Sequence, residues 1–522
     1  MKNRKTVVRV VAAIVAVGSM AALAGCADSQ KSSGSPTTIT IGLNAAPSSL
    51  DPAKGSNTPE GIAYVDLTYS PLISLNGDGS LSPGLATSWK YTDSTLTTFQ
   101  LTLRSGVRFS DGKPLTAQTV VKSIERAQTA GGAVVPTYAA VIQSADATNA
   151  HTVTLHLTQP DPTIAQVLTQ RFLVGSIVGP DGLADPASLG TSTDGAGPYM
   201  LDKSQTVAGD HYTFVPNPYY WDKKSVHFKK FIVRVIPNPQ TAYNALKSGQ
   251  IAFVDGSPST VGQASADGAL AVYSVPAAWY GLDLFDRGGA VVPALAKQDV
   301  REALNYAIDR KAITTSLFGK YGVPTSEISD SAYADNGFDP SYQNHYSYDP
   351  AKAKKLLAEA GYPNGFSITI AAIATYGDGV EVSQAIASDW AKIGVTAKID
   401  TGTGTAGITG PLLAKQLPAF AMYYDAQPMY LESSQLLDQK AGLFNIFEST
   451  DPQLTALLTK ARAQTTKAAA ANAWAAVERR VVDLGWFVPV AVGPEQFYSA
   501  KGLKGIDISA SASSPDPTRL HY

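Results

Sequence analysis

The chain has 522 residues, of which 41 are Lys or Arg and 43 are Asp or Glu, so its formal charge at pH 7 is −2. Four of the 41 cations stand in the first nine residues, and removing them leaves 37 against 43 acids. This mildly acidic balance argues against a nucleic-acid partner, whose phosphates require clustered Lys and Arg. The single cysteine excludes an intrachain disulfide, and the length suffices for roughly three domain-sized units.

The first residues have the layout of an export signal. Lys2, Arg4 and Lys5 give a positively charged start, and the apolar run at residues 10–23 follows it. This run is shorter than the roughly 20 residues that cross a bilayer core. No later apolar run is long enough to span a membrane. We therefore expect an exported protein whose signal peptide covers residues 1–25.

Cys26 stands directly after the signal, in the stretch Leu23-Ala24-Gly25-Cys26. This stretch resembles the bacterial lipobox, which implies cleavage before the cysteine and a diacylglycerol on its thiol. Residues 26–36 then form a flexible tether without aromatic or branched apolar residues. The expected location is the outer face of the cell membrane, or the periplasmic side, with the lipid as the one membrane contact. The alternative is an ordinary signal followed by an unpaired cysteine.

Strands are predicted where apolar and polar residues alternate with period two. Residues 37–43, 98–104 and 151–157 show this pattern. In the last of them His151 and His156 are five apart, so their side chains are expected on opposite faces and cannot share a metal ion.

Helices are predicted where apolar residues recur at helical spacing. Residues 299–313 carry one such stripe, with Asp299 and Glu302 placed as a capping pair at its start. Asp349 is the expected N-cap of a second helix, and Gly485 is expected to end a third. Because strands and helices are mixed from end to end, the predicted fold class is α/β.

A turn-rich stretch at residues 101–126 carries a recognisable pattern, LTLRSGVRFSDGKPLTAQTVVKSIER. Gly106 and Gly112 permit turn geometry, Asp111 can accept from turn amides, and Thr116 can cap the following helix. This combination resembles the family-5 extracellular solute-binding proteins, which deliver peptides and other solutes to ABC importers.

Four further stretches match the same family in the expected order. They are GAGPYML at residues 195–201, the Asn-Pro-x-Tyr-Trp segment within 215–255, the helix at 300–313, and the returning strand within 487–506. Together the five stretches extend the resemblance over nearly all of the chain that follows the signal.

The resemblance implies a two-lobed periplasmic-binding-protein-like fold with a hinge and an extra subdomain in the first lobe. The first lobe would comprise residues 37–280 and 488–522, with the subdomain at about 66–195, and the second lobe residues 281–487. A solute would bind in the cleft, and closure would present a surface to the permease subunits of an ABC importer. The resemblance implies a monomer without a cofactor or catalysis.

The solute itself is less clearly indicated. In peptide-binding members an acidic residue that follows an aromatic one in the second lobe takes the peptide's ammonium group. With Tyr424 at the family's Trp position, that place falls on Gln427, and Asp425 lies two residues earlier. No Arg stands between Arg310 and Arg462, although Arg suits a peptide carboxylate. A peptide is expected from the family's membership, and an oligosaccharide or other neutral organic solute is the alternative.

Aromatic residues are further candidates for the cleft. Tyr423, Tyr424 and Tyr430 lie in the second lobe, and Trp279 and Tyr280 lie at the first crossing between lobes. Such rings stack on sugar faces or on apolar side chains, and their polar atoms supply hydrogen bonds. The alternative for each ring is a place in the core.

Three polar residues complete the candidates. Asp283 and Asp286 stand where many relatives have Asn, and solvated turn acids are the commoner role there, with cation binding as the alternative. Asn44 ends the first predicted strand and is a cleft candidate by position. The remaining histidines are scattered, and no Gly-x-Ser-x-Gly elbow, phosphate loop or His-Glu-x-x-His motif occurs. No metal site or catalytic residue is therefore predicted, and a secreted hydrolase with two carboxylates is the remote alternative.

Overall fold

The computed structural model describes residues 36–522 apart from 133, 330, 334–335, 374–377, 403–409, 413 and 441–443. The predicted signal, the lipobox and Cys26 lie outside the described residues. The described strands are β1 (Thr38–Leu43), β2 (Ile73–Leu75), β3 (Leu81–Pro83), β4 (Ala86–Tyr91), β5 (Thr98–Leu103), β6 (Ile142–Asn149), β7 (Thr152–Leu157), β8 (Tyr199–Leu201), β9 (His211–Pro216), β10 (Lys230–Val235), β11 (Phe253–Asp255), β12 (Leu270–Asp283), β13 (Val323–Pro324), β14 (Ser367–Ala371), β15 (Thr396–Asp400), β16 (Ala419–Asp425) and β17 (Phe487–Ala500).

Helices occur along the whole of the described chain. The α-helices are α1 (Pro59–Thr68), α2 (Ala117–Thr129), α3 (Val135–Ala139), α4 (Ile164–Val167), α5 (Pro180–Ala184), α6 (Pro239–Lys247), α7 (Val261–Ala266), α8 (Gln298–Tyr306), α9 (Arg310–Phe318), α10 (Pro350–Glu359), α11 (Gly379–Ala391), α12 (Met429–Leu436), α13 (Pro452–Arg462) and α14 (Lys467–Leu484). A search of the described helices finds none that is both long and apolar enough to span a membrane.

One large mixed sheet organises the molecule, with the strand order β15-β14-β16-β12-β17-β11-β1-β10-β9-β8 and β13 paired to β17. The two central strands, β12 and β17, are antiparallel and pair from Leu270 opposite Ala500 to Asp283 opposite Phe487. We call β1 and β8–β11 the first half of the sheet, and β14–β16 the second half. Because β12 and β17 lie between them, these two long strands join the halves.

A second, four-stranded antiparallel sheet has the order β4-β5-β7-β6. The alternating residues of β5 and β7 bury Phe99, Leu101, Val153 and Leu155, which contribute to one apolar cluster with the buried face of α2. The predicted strands at residues 37–43, 98–104 and 151–157 are confirmed as β1, β5 and β7, each within one residue.

The turn chemistry predicted between β5 and α2 is confirmed. Gly106 and Gly112 have φ of +77° and +82°, which glycine adopts without the penalty of a side chain. The Lys113 N–H donates to Asp111 Oδ1 at 2.7 Å, and the Thr119 N–H donates to Thr116 Oγ1 at 3.2 Å.

The helix predicted over residues 299–313 is wrong in extent, since the structure has α8 and α9 there with a break between them. The expected capping pair is absent: Lys297 is the N-cap of α8 and makes no side-chain cap hydrogen bond, while Glu302 accepts from Gln298 Nε2. The break has a local cause, because Asp309 accepts the Ala312 N–H at 3.0 Å and so starts a new helix.

Two other predicted helix ends are confirmed. Asp349 caps α10 by accepting the Lys352 N–H at 2.8 Å. Gly485 follows α14 with φ +58° and ψ +33°, the left-handed conformation that ends many helices. A helix end that is set by one capping side chain or one glycine could therefore be predicted from the sequence.

The largest apolar cluster joins two parts of the chain that are far apart in sequence. It contains Leu101 and Phe172 from the region of the four-stranded sheet, and also Trp279, Tyr430 and Trp474. The second half of the large sheet and the four-stranded sheet therefore share one core. Side chains from both regions meet at its edge, around a cavity.

Candidate functional site

The cavity lies at the carboxyl end of β16, where the chain faces α3 and the segments before α1 and after α4. We call it the β16 cavity. Its lining combines polar and aromatic groups from parts of the chain that are far apart in sequence. The lining residues are Asn57, Thr58, Val134, Tyr138, Arg171, Phe172, Tyr423, Tyr424, Asp425, Gln427, Gln435 and Phe444. Four residues singled out in the sequence, Tyr423, Tyr424, Asp425 and Gln427, are thus brought together in one place.

Asp425, the last residue of β16, carries the negative charge of this lining. Its Oδ1 is buried without a hydrogen-bond partner among the described residues, and its Oδ2 lies 4.0 Å from Arg171 Nη2. Burial raises the pKa of Asp425 to about 6, and the Arg171 guanidinium opposes that rise. The carboxylate therefore retains one acceptor oxygen for a further donor.

Arg171 is the cation beside it, and sequence reasoning missed this residue. Its Nη2 donates to the carbonyl oxygen of Ala426 at 2.7 Å and its Nη1 to Ser513 Oγ at 3.1 Å, while only 5% of its surface is exposed. It lies in the plain stretch TQRFLVG, 255 residues from Ala426. No local motif marks it, so only the fold shows that an arginine borders the cavity.

Neutral hydrogen bonds fix other side chains of the lining. Asn57 Nδ2 donates to the Tyr138 hydroxyl at 3.1 Å, and that hydroxyl donates to Gln427 Oε1 at 3.2 Å. The Tyr424 hydroxyl donates to Gln435 Oε1 at 2.7 Å. These contacts hold Gln427 and Tyr424 in one orientation, since both side chains are otherwise buried.

Tyr423 connects the cavity to a group of acidic side chains on its far side. Its hydroxyl donates to Glu495 of β17. Burial raises the pKa of Glu495 well above its usual range, and the nearby Glu60 and Asp255 carboxylates add to that rise. Of these acidic groups, Glu495 and Asp425 interact electrostatically with the Arg171 guanidinium.

The other aromatic candidates lie outside the lining of the cavity. Trp279 is buried, and its Nε1 donates to Glu432 Oε1 at 3.2 Å. Tyr280 is buried with its ring centroid 4.8 Å from that of Phe318. The Tyr430 hydroxyl donates to the carbonyl oxygen of Pro160 at 2.7 Å, a contact from α12 to the segment after β7.

Asn44 also lies outside the lining. It is exposed, and its backbone N–H donates to Asp255 Oδ2 at 3.0 Å. The structure therefore connects Asn44 to the acidic group through its backbone, while its side chain has no described contact with the cavity.

Asp283 and Asp286 are buried, so the expectation that they are solvated turn acids is wrong. Asp283 Oδ1 pairs with Arg287 Nη2 at 2.6 Å, and burial raises the pKa of Asp283 to about 7 against the lowering effect of that arginine. The Arg287 guanidinium also covers the Trp486 ring at 4.3 Å. Asp286 accepts three backbone N–H groups of residues 290–292. Structural contacts thus occupy Asp286 and one oxygen of Asp283, whose Oδ2 is buried without a hydrogen-bond partner among the described residues.

The described histidines and acidic residues do not assemble into a metal centre. No group of three or more His, Cys, Asp and Glu is positioned there to hold a metal ion. His156 Nε2 lies 3.2 Å from Asp146 Oδ2 on the neighbouring strand, and His151 lies in the turn before β7. The β16 cavity is lined by residues far apart in the chain, and hydrogen bonds hold its polar groups in place. Such a cavity suits a protein that encloses a small molecule.

Comparison with known proteins agrees with this class. The family of bacterial extracellular solute-binding proteins, family 5, matches residues 80–440. The glutathione-binding protein GsiB of Salmonella paratyphi A is 27% identical over 378 residues, covering 71% of each chain. The periplasmic murein peptide-binding protein MppA of Escherichia coli K12 is 28% identical over 383 residues, covering 68% of each.

Similarity also extends to solved structures. The structure of the PBP AgaA from A. tumefaciens R10 in complex with agropinic acid superposes with a TM-score of 0.80. It is 25% identical and covers 91% of this chain and 97% of its own. The α/β fold of periplasmic binding proteins predicted for this chain is thereby confirmed.

Because the family match covers more than half of the chain, the protein belongs to family 5 of the bacterial extracellular solute-binding proteins. Its relatives are binding proteins and not enzymes. The family match and these relatives therefore confirm the prediction of a binding protein that performs no chemistry on its solute. The family is extracytoplasmic.

Proposed function

We propose that this chain captures a peptide or peptide-like solute with an amino group in the β16 cavity and delivers it to the permease subunits of an ABC importer. The observation that carries the proposal is the carboxylate of Asp425, a residue of the cavity lining whose Oδ1 has no hydrogen-bond partner among the described residues. An ammonium group is a suitable donor for that oxygen. The names of relatives that bind glutathione and a murein peptide support the same class of solute.

Arg171 also supports the proposal, because its positive charge can pair with a carboxylate of the solute. The absence of Arg between residues 310 and 462 weakens the expectation of a peptide ligand, since a carboxylate needs a partner. Arg171 borders the same cavity from another part of the chain. We propose that it acts as that partner, exchanging its long 4.0 Å contact with Asp425 for a contact with the solute.

The oligosaccharide alternative has less support. Tyr424 is buried, and its ring packs 6.0 Å from that of Phe444 and 6.2 Å from that of Trp279, between centroids. Those neighbours occupy surface that a sugar face would require. The Asp425 carboxylate in the lining also suits a cationic group better than a neutral sugar.

We further propose that the first lobe comprises residues 37–280 and 488–522 and the second lobe residues 281–487, with a hinge in β12 and β17. Their register shifts between Pro276 and Ala278, and Pro276 lies opposite Pro494. Neither proline has an N–H to donate, so the ladder is locally weak at this position. A bend there would move one half of the sheet against the other.

Thermal unfolding of the purified protein with a panel of peptides, amino-acid conjugates and oligosaccharides tests the solute class. A solute that binds only the folded state at 100 times its Kd adds about 2.7 kcal/mol to the free energy of unfolding. We expect stabilisation by peptide-like solutes with a free amino group and its loss in Asp425→Asn. Stabilisation by sugars alone, or an N-acetylated peptide that binds as well as the free one, would contradict the proposal.

We also propose that the protein is exported as a monomer and anchored through a diacylglycerol on Cys26. The support is the sequence at residues 23–26, immediately after the apolar run. In cells, Cys26→Ser is expected to release the protein from the membrane fraction, with Ser32→Ala in the tether as the control. Unchanged membrane retention of the Cys26 variant would show that the anchor is not this thiol.

A further inference from the structure

Two histidines meet on the surface, away from the β16 cavity. His227 lies in the segment before β10, and His521 is the penultimate residue. Their ring centroids are 5.1 Å apart, and the ring planes are inclined by 35°. Neither residue contributes to the solute site described above.

The hydrogen bond of His521 orients its ring. Its Nδ1 lies 2.9 Å from the carbonyl oxygen of Arg519, and a carbonyl oxygen only accepts. Nδ1 therefore carries a proton, which leaves Nε2 as the ring nitrogen that can coordinate a metal ion. Backbone hydrogen bonds in both directions with Lys504 hold the residue in place. Metal-binding histidines usually donate their other ring N–H to a carbonyl or carboxylate oxygen in this way.

His227 is exposed, and its ring nitrogens have no hydrogen-bond partner among the described residues. Two imidazole rings thus lie side by side, each with a ring nitrogen that can act as a ligand.

We infer that His227 and His521 together bind a divalent transition-metal ion such as Cu²⁺ or Zn²⁺, with water in the remaining positions. Imidazole is a preferred ligand for these ions, and Cu²⁺ binds more tightly than Zn²⁺ at such sites. Two imidazoles on one tetrahedral ion, with metal–nitrogen distances of about 2.0–2.1 Å, place their ring centroids roughly 5 Å apart. The observed separation of 5.1 Å needs little adjustment to meet that requirement.

Such an ion would link the end of the chain to the segment before β10. That segment is otherwise joined to the end of the chain by an edge-to-face contact between Phe228 and Tyr522. Metal binding is therefore expected to stabilise this corner of the first half of the sheet, in addition to any effect of solute.

The test is a titration of the full chain, freed of metal, with Cu²⁺ and with Zn²⁺ at pH 7.5 by calorimetry. His227→Gln and His521→Gln are each expected to weaken binding by at least about tenfold. His151→Gln, at an exposed histidine elsewhere, and Asp425→Asn, in the β16 cavity, are expected to leave the affinity unchanged. With Cu²⁺, electron paramagnetic resonance should show coupling to two imidazole nitrogens in the native chain and to one in either variant.

Native affinity in His227→Gln would overturn the inference, as would the absence of any histidine coupling in the Cu²⁺ spectrum. Thermal unfolding of both variants without metal provides the check on folding. His227 is exposed, so its replacement by Gln is expected to leave the unfolding transition unchanged.

Discussion

Asp161 shows how a single buried carboxyl group makes the stability of this protein depend on pH. Its side chain has no exposed surface, Oδ1 accepts the N–H and hydroxyl of Thr163, and Oδ2 has no partner in the described part of the chain. Burial raises the pKa of Asp161 to about 6 from an ordinary value of 3.8, while the contacts with Thr163 lower it. The folded state therefore holds this proton over a range in which the unfolded state has released it.

We predict that Asp161→Asn reduces the pH dependence of stability. Because the unfolded state binds fewer protons between pH 4 and 6, the free energy of unfolding of the native chain falls as pH rises through that range, with roughly 3 kcal/mol as the limit for this group. The neutral amide imitates the protonated acid. Urea unfolding at pH 4, 5, 6 and 7 should thus show a shallower fall and greater stability at pH 7.

Asp146→Asn, whose side chain is 66% exposed, is the matched control and should retain the native profile. An unchanged slope in the Asp161 variant would show that this carboxyl group is already ionised when the protein folds. The sequence offered no sign of this behaviour, because an Asp after a proline is most often a solvated turn residue.

At the scale of elements, helix caps illustrate how much one side chain contributes. Asp349 caps α10 and Asp451 caps α13, each by accepting one backbone N–H. Asp451 additionally accepts from Arg480 of α14 at 3.0 and 2.7 Å, a contact between helices. The same residue type therefore has a local role in one helix and a tertiary role in the other.

We predict that Asp451→Ala costs more stability than Asp349→Ala. Loss of the cap alone should lower the free energy of unfolding by about 1 kcal/mol. Loss of the cap and of the charged hydrogen bonds to a partly buried arginine should cost about 2 kcal/mol or more. Urea unfolding at pH 7 compares the two variants directly, and equal losses would mean that the Arg480 contact adds nothing.

At the scale of the whole molecule, hydrogen bonds connect the second half of the sheet with the region of the four-stranded sheet. Tyr430 donates to Pro160, Tyr138 donates to Gln427, and Arg171 donates to Ala426. If the proposed hinge opens, these contacts separate, and solute binding must favour the arrangement in which they are made.

We predict that Tyr430→Phe weakens solute binding about fivefold, because one hydrogen bond that supports closure, worth about 1 kcal/mol, is lost. Calorimetry with the best solute from the panel measures the effect. Tyr91→Phe is the control, since the Tyr91 hydroxyl donates to the backbone carbonyl oxygen of Asp161 within the region of the four-stranded sheet. Equal affinity losses in the two variants would show that Tyr430 does not report on closure.

Several local features of this protein could be predicted from its sequence. The alternation in residues 37–43, the Thr116 and Asp349 caps and the Gly485 terminator each act within a few residues, so they appear directly in the sequence. The five family stretches indicated the fold because each is a short motif and all occur in the expected order. One local signal was misread at α8 and α9, where the cap at Asp309 outweighed a continuous apolar stripe.

The amino-acid sequence by itself determined the α/β class, the family and those element ends that a single cap or glycine sets, because these depend on local propensity and on ordered motifs. Only the tertiary structure decided the composition of the site. It placed Arg171 beside Asp425, buried Asp283 against Arg287, and left Trp279 and Tyr430 outside the cavity lining. Burial and the meeting of charges across 255 residues of chain arise from packing, and no local pattern encodes them.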